Sequence, residues 1–146
     1  MSCMSDELFF DTNILVYAYD VSEIEKQKKC ASLMEKVFEG KTIGIVSNQV
    51  LGELFKGLTE NIEMPLSLEN AELIIKDIIQ SDRWVKINYD AETIKKAIVT
   101  VKSFKVPFWD ALIAETIKEN GINKICTENE KDFKKISGIK VVNPLK

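Results

Sequence analysis

Histidine is absent from the 146 residues. That absence removes Ser-His-Asp and Cys-His nucleophile systems, histidine acid–base ribonuclease chemistry and histidine-ligated zinc hydrolases. Proton transfer would fall to a carboxylate, a lysine, a tyrosine or a water held by a metal. Cysteine is scarce as well. Cys3, Cys30 and Cys126 are too few and too scattered for a disulfide scaffold or a zinc knuckle, and a reducing cytoplasm is the simplest compartment. No apolar run approaches the ~18–20 residues of a membrane helix, the longest comparable piece being Ile14–Tyr19. The first residues carry Asp6 and Glu7 and no basic residue, unlike a secretory signal. No glycine-rich loop follows an apolar strand pattern, which excludes a dinucleotide fingerprint and a P-loop. Linkers, repeats and low-complexity stretches are missing too, so a single domain over residues 1–146 is expected.

What is present is an ordinary globular composition, 45% hydrophobic and 29% charged. The net charge of −3 argues mildly against nucleic acid as a partner, because phosphate contacts need Lys and Arg. An acidic site that recruits divalent cations would still hold a phosphodiester. Short apolar strands alternate with amphipathic helices. Strands are predicted at Glu7–Asp11, Thr42–Val46, Trp84–Ile87, Lys124–Cys126 and Lys140–Val142. Helices are predicted at Asn13–Tyr19, Ser22–Glu39, Asn48–Glu60, Ser67 to Ser81, one capped by Asp90 and running to Phe104, and Pro107–Asn120, with a short one after Cys126. Ile24, Ala31, Leu33, Met34, Val37 and Phe38 form the expected stripe of the second helix. Val50, Leu51, Leu54, Phe55 and Leu58 form that of the third. This alternation implies an α/β fold with a mainly parallel sheet covered on both faces.

Ligands of open parallel sheets bind beyond the carboxyl ends of the strands. Asp11 ends the first strand, and it reads equally as a cap of the turn with Thr12 and Asn13. Asp110 shares a helical face with Ile113, Ala114 and Ile117, and no Lys or Arg of that helix neutralises it. Such a carboxylate needs a partner, a cation or a proton, unless it only complements the helix dipole in the first turn. The neighbouring Phe108 and Trp109 read as packing groups. Glu53 lies off the apolar stripe of its helix and reads as solvent-facing. Gly52 and Gly57 beside it suggest close packing, since glycine costs about 1 kcal/mol inside a helix. Thr127-Glu128-Asn129-Glu130 fits a capping box with Thr127 as N-cap, and Asp132 reads as a solvated acid. The lysine clusters Lys26/Lys28/Lys29, Lys95/Lys96 and Lys131/Lys134/Lys135 read as solvated helix faces, any of which could line a groove. A dehalogenase-type phosphatase would need an acid at Asn13, and a receiver domain would need one in Trp84–Tyr89; neither is there.

Four segments together, FFDTNILVYAYD (9–20), SNQVLGELFKG (47–57), PFWDALIAE (107–115) and CTENEKDF (126–133), resemble the PIN-domain nucleases, and among them the small VapC-like toxins. The resemblance covers essentially the whole chain. It implies a three-layer α/β/α sandwich and a ribonuclease acting on single-stranded RNA with Mg²⁺ or Mn²⁺, its acidic site taking Asp11, Glu53 and Asp110. Thr12, Asn13 and Thr127 would support that site. At the fourth position, where many relatives place an aspartate, this chain has Asn129, which can ligate a metal through its carbonyl but brings no charge; Glu128 and Asp132 are the weaker candidates to substitute. Three carboxylates then suit one divalent ion better than two. The resemblance further implies a homodimer and an antitoxin partner. The competing expectation is a PIN-like scaffold or RNA-binding module of little or no activity.

Overall fold

The computed structural model describes residues 7–146; Cys3 and Asp6 lie outside the described residues. The chain runs β1 (Glu7–Phe10), α1 (Thr12–Tyr17), α2 (Ile24–Phe38), β2 (Ile43–Ser47), α3 (Asn48–Glu60), α4 (Leu68–Gln80), β3 (Trp84–Ile87), α5 (Ala91–Phe104), α6 (Phe108–Glu119), β4 (Lys124–Cys126), α7 (Glu130–Phe133) and β5 (Lys140–Val142). Every predicted element is present. Asp90 caps α5 as expected, whereas Ser67 and Pro107, expected to open their helices from inside, stand at the N-cap positions. Ser67 accepts from Asn70 N, Asp90 from Thr93 N in a capping box, and Pro107 precedes α6.

The sheet order is β3-β2-β1-β4-β5, and every strand pair is parallel. In β1, Leu8, Phe9 and Phe10 are buried in succession, so side chains pointing to opposite faces both meet core. Helices therefore cover both faces, as the α/β/α expectation required. From β1 the chain builds β2 and β3 to one side, then returns to add β4 and β5 on the other. The reversal leaves a crevice at the carboxyl ends of β1 and β4, where such sheets bind ligands.

Two apolar stripes are narrower than predicted. Ile24 and Phe38 of α2 are exposed, and Cys30, Met34 and Val37 carry the buried face. Phe55 of α3 sits at the stripe's edge, while Gly57 is buried. Trp84 is the largest buried side chain. Its ring meets Phe10 edge-on at 5.2 Å and Phe38 at 5.9 Å. Gly44 of β2 makes room for it: a Cβ there would lie 2.7 Å from Val37 Cγ1 and 2.8 Å from Trp84 Cε3.

That crowding gives a stability prediction. Gly44→Ala overpacks the β2–Trp84 contact and should cost about 1–3 kcal/mol, read as a fall of several degrees in Tm. An unchanged Tm would show that Val37 and Trp84 yield freely.

Candidate functional site

Asp11 follows the last residue of β1, and its backbone N donates to Cys126 O at 3.0 Å, prolonging the β1–β4 ladder. Its side chain is 93% covered, being only 7% exposed. Oδ1 accepts from Thr12 N at 2.8 Å, so Asp11 is indeed the N-cap of α1. Oδ2 accepts from Thr127 Oγ1 at 2.7 Å and from Asn13 Nδ2 at 3.3 Å. Burial pushes its pKa up and Glu53's charge adds to this, while the bonds from Thr127, Thr12 and Asn13 work against it.

Thr127 is not the N-cap of α7. It is fully buried, donates to Asp11, and accepts from Asn129 N at 2.9 Å and Asn13 Nδ2 at 3.4 Å. The buried acid claims this hydroxyl, and Asn129 takes over the capping, its Oδ1 accepting from Asp132 N at 3.4 Å. Glu130 does not reach back; it pairs with Lys134 and Lys146.

Glu53 is exposed, as its helix position implied, but the water it faces fills a cleft. Its Oε1 accepts from Thr12 Oγ1 at 2.8 Å and its Oε2 from Gln49 Nε2 at 3.4 Å. Asp110, in the first turn of α6, is half-buried. Its Oδ2 accepts from Asn129 Nδ2 at 3.1 Å. Burial raises its pKa from 3.8 to about 6, with the charges of Asp11 and Asp132 adding to the rise. Asp132 is thus no isolated solvated acid: it stands beside Asp110, and its Oδ2 accepts from Asn129 Nδ2 at 3.2 Å. Glu128 is engaged elsewhere, accepting from Tyr17 Oη at 2.7 Å and pairing with Lys26 Nζ at 3.3 Å.

Asp11, Glu53, Asp110 and Asn129 all line one cleft of about 730 Å³, together with Thr12 and Asn13; Thr127, Glu128 and Asp132 do not line it. Sequence reasoning missed Gln49, Lys56 and Trp109 on its walls. A clue to the first two was there: Gln49, Glu53, Lys56 and Gly57 recur at helical spacing. A Cβ on Gly57 would lie 2.9 Å from Val16 Cγ2, so this side of α3 abuts α1; Gly52 meets open space. Trp109 was expected to pack, yet it is 57% exposed. The polar donors here are hard oxygens, the kind that Mg²⁺ and Mn²⁺ prefer. Among the described residues, no three Asp, Glu or Cys side chains are gathered closely enough to enclose an ion unaided.

A sequence model of the PIN domain matches residues 8–139. The chain is 26% identical over 147 residues to Ribonuclease VapC2 of Methanocaldococcus jannaschii, spanning 94% of this chain and 93% of the relative. Among solved structures, DNA-bound VapBC from Salmonella typhimurium matches with a TM-score of 0.68 at 19% identity, over 97% of this chain and 99% of that one. VapC20 of Mycobacterium tuberculosis, described as a sarcin-ricin loop cleaving toxin, matches with a TM-score of 0.62 at 16% identity, over 81% and 86%. At these identities the structural likeness speaks for the fold.

The burial of Asp110 beside other acids has a measurable cost. Asp110 holds its proton up to about pH 6 in the folded chain, against 3.8 ordinarily. The folded state therefore binds more protons, and Asp110 erodes stability as pH rises from about 4 to 6, the deficit persisting above. In EDTA at pH 7, Asp110→Asn should raise Tm by a few degrees, since the substituted amide still accepts from Asn129. At pH 4 the gain should vanish. An equal or lower Tm at pH 7 would show that the carboxylate is not under strain.

Proposed function

The chain belongs to the PIN-domain family, and from that premise we propose that it is a divalent-metal-dependent endoribonuclease. Its substrate is single-stranded RNA, and its role is the toxin of a toxin–antitoxin pair. The observation that carries this reading is the meeting of Asp11, Glu53 and Asp110 in one cleft at the carboxyl edge of the sheet, in a chain without histidine. The relative named Ribonuclease VapC2 and VapC20, described as a cleaving toxin, support it.

Asp11, Glu53 and Asp110 would hold Mg²⁺ or Mn²⁺, with the Asn129 carbonyl a neutral fourth donor. Bound there, the cation supplies positive charge for a phosphodiester and acidifies a coordinated water. The chain's own part is to aim the acids. Thr12 and Thr127 fix both oxygens of Asp11, and Thr12 Oγ1 ties Glu53 to the same strand end. Asn129 holds Asp110 across from them. These bonds orient the acids in advance, so little reorganisation is left for the reaction. An antitoxin, a second copy of the chain and a cytoplasmic location belong to this reading. Among the described residues no helix is long and apolar enough to cross a membrane.

Purified protein should cleave single-stranded RNA in Mg²⁺ or Mn²⁺ and stop in EDTA. Asp11→Asn should lower the rate by about 10²-fold or more without unfolding the chain. Full activity in that variant would remove Asp11 from its role. Calorimetry should show one Mn²⁺ bound well in the free protein, with Asn129→Asp strengthening a second. Two equally tight ions in the unaltered chain would mean that Asp132 already completes the site. The neutral Asn129 favours a second reading, a PIN-like scaffold or RNA-binding module. Absence of both Mn²⁺ binding and cleavage would establish that one.

A further inference from the structure

We infer that a hollow without Lys or Arg, beside the acidic cleft, binds the base of a nucleotide flanking the cleaved bond, and so sets where the RNA is cut. The inference rests on the ribonuclease reading for its substrate, and its site adjoins the acidic cleft. The hollow, about 470 Å³, is lined by Asn48, Gln49, Glu53, Asn88, Tyr89 and Trp109. Gln49, Glu53 and Trp109 also line the acidic cleft, so the two are continuous.

Its lining differs sharply from that of the acidic cleft. There is no Lys or Arg to attract phosphate, and its one charged group, Glu53, repels it and is bonded to Thr12. What remains is three amides and two aromatic rings. Trp109 leaves 57% of itself in water, an unusual position for an indole, and touches Phe108 edge-on with ring centres 5.0 Å apart. Among the described residues, the side chains of Asn48 and Asn88 bond to no other protein group. An amide offers a donor and an acceptor together, which is what the edge of an unpaired base requires, and an exposed ring offers its face for stacking. Aromatic faces with free amides and no cation match a nucleobase and not a phosphate.

The topology supplies the geometry. Asn48 follows β2, and Asn88 and Tyr89 follow β3, whereas Asp11 and Thr127 follow β1 and β4. In the order β3-β2-β1-β4 the hollow and the acids lie side by side along one carboxyl edge. Adjacent strands stand about 4.8 Å apart, so the two centres are separated by about one or two such steps. An RNA strand laid across this edge with a phosphate over the acids would bring a neighbouring base over β2 and β3.

Trp84 is 1% exposed and Trp109 is 57% exposed, so fluorescence separates them. Protein in Mg²⁺ would be titrated with the four homotrinucleotides and, separately, with inorganic tripolyphosphate, and the cut sites in a long unstructured RNA would be mapped. At least one trinucleotide should quench the exposed emission saturably, tripolyphosphate should not, and the response should disappear in Trp109→Phe. Trp109→Ala should weaken trinucleotide binding about tenfold or more, about 1.4 kcal/mol or more. Asn88→Ala should redistribute the cut sites at one position beside the cut. Unchanged Trp84 emission checks that each variant is folded. Cleavage with the same sites in every variant and no quenching would overturn the hollow and leave the ribonuclease reading standing. Quenching without cleavage would do the reverse. Equal quenching by tripolyphosphate would make it a phosphate site and overturn the inference. So would a change of oligomeric state in Trp109→Ala with trinucleotide binding intact, which would assign the face to a protein.

Discussion

The burial of Asp11 governs the arrangement around it. A carboxylate covered so fully is costly unless its lone pairs are met, and here Thr12 N, Asn13 Nδ2 and Thr127 Oγ1 meet them. Each donor constrains a different part of the chain. Thr12 fixes the start of α1 directly on the end of β1. Thr127 must stand opposite Asp11, which requires β4 to pair with β1 in the register Phe10 with Cys126. Thr127 in turn accepts from Asn129 N, so the loop that enters α7 is anchored to the same acid. One buried charge thereby organises both strands of the crevice.

The acids around it work against the fold. Asp110 is pushed up to about 6, first by burial and then by the charges of Asp11 and Asp132. A sequence selected for stability alone would place neutral groups there. This cost, burial first and repulsion second, is offset by the rest of the domain through Phe9, Phe10 and Trp84 in the core. The same repulsion favours whatever positive charge enters the cleft, so the share of the strain that comes from Asp11 and Asp132 and the cation affinity proposed for the cleft have a common cause.

Much of this was legible in the chain because periodicity reports which side of an element faces the core. The run of apolar residues in β1 announced a strand buried on both faces, and the apolar surroundings of Asp110 announced a carboxylate in need of a partner. Periodicity says nothing about what lies on the other side. Glu53 and Trp109 both face water, yet that water lies in a cleft between elements far apart in sequence. Local motifs fail for a related reason. Thr127 and Glu130 have the spacing of a capping box, but the pattern cannot register that a buried acid from β1 competes for the threonine hydroxyl. Glu128 likewise gave no sign that Tyr17 and Lys26 would hold its carboxylate.

Asn129 shows how one substitution can serve both demands. Its amide nitrogen donates to Asp110 and to Asp132 while its carbonyl caps α7. An ionised aspartate could cap the helix equally well, but it could donate to neither neighbour and would add a further negative charge to a group already in mutual repulsion. The amide therefore holds Asp110 and Asp132 together where a carboxylate would drive them apart. The chain gives up charge at this position and gains a fixed placement for Asp110, which comes from α6 while Asp11 ends β1 and Glu53 stands on α3.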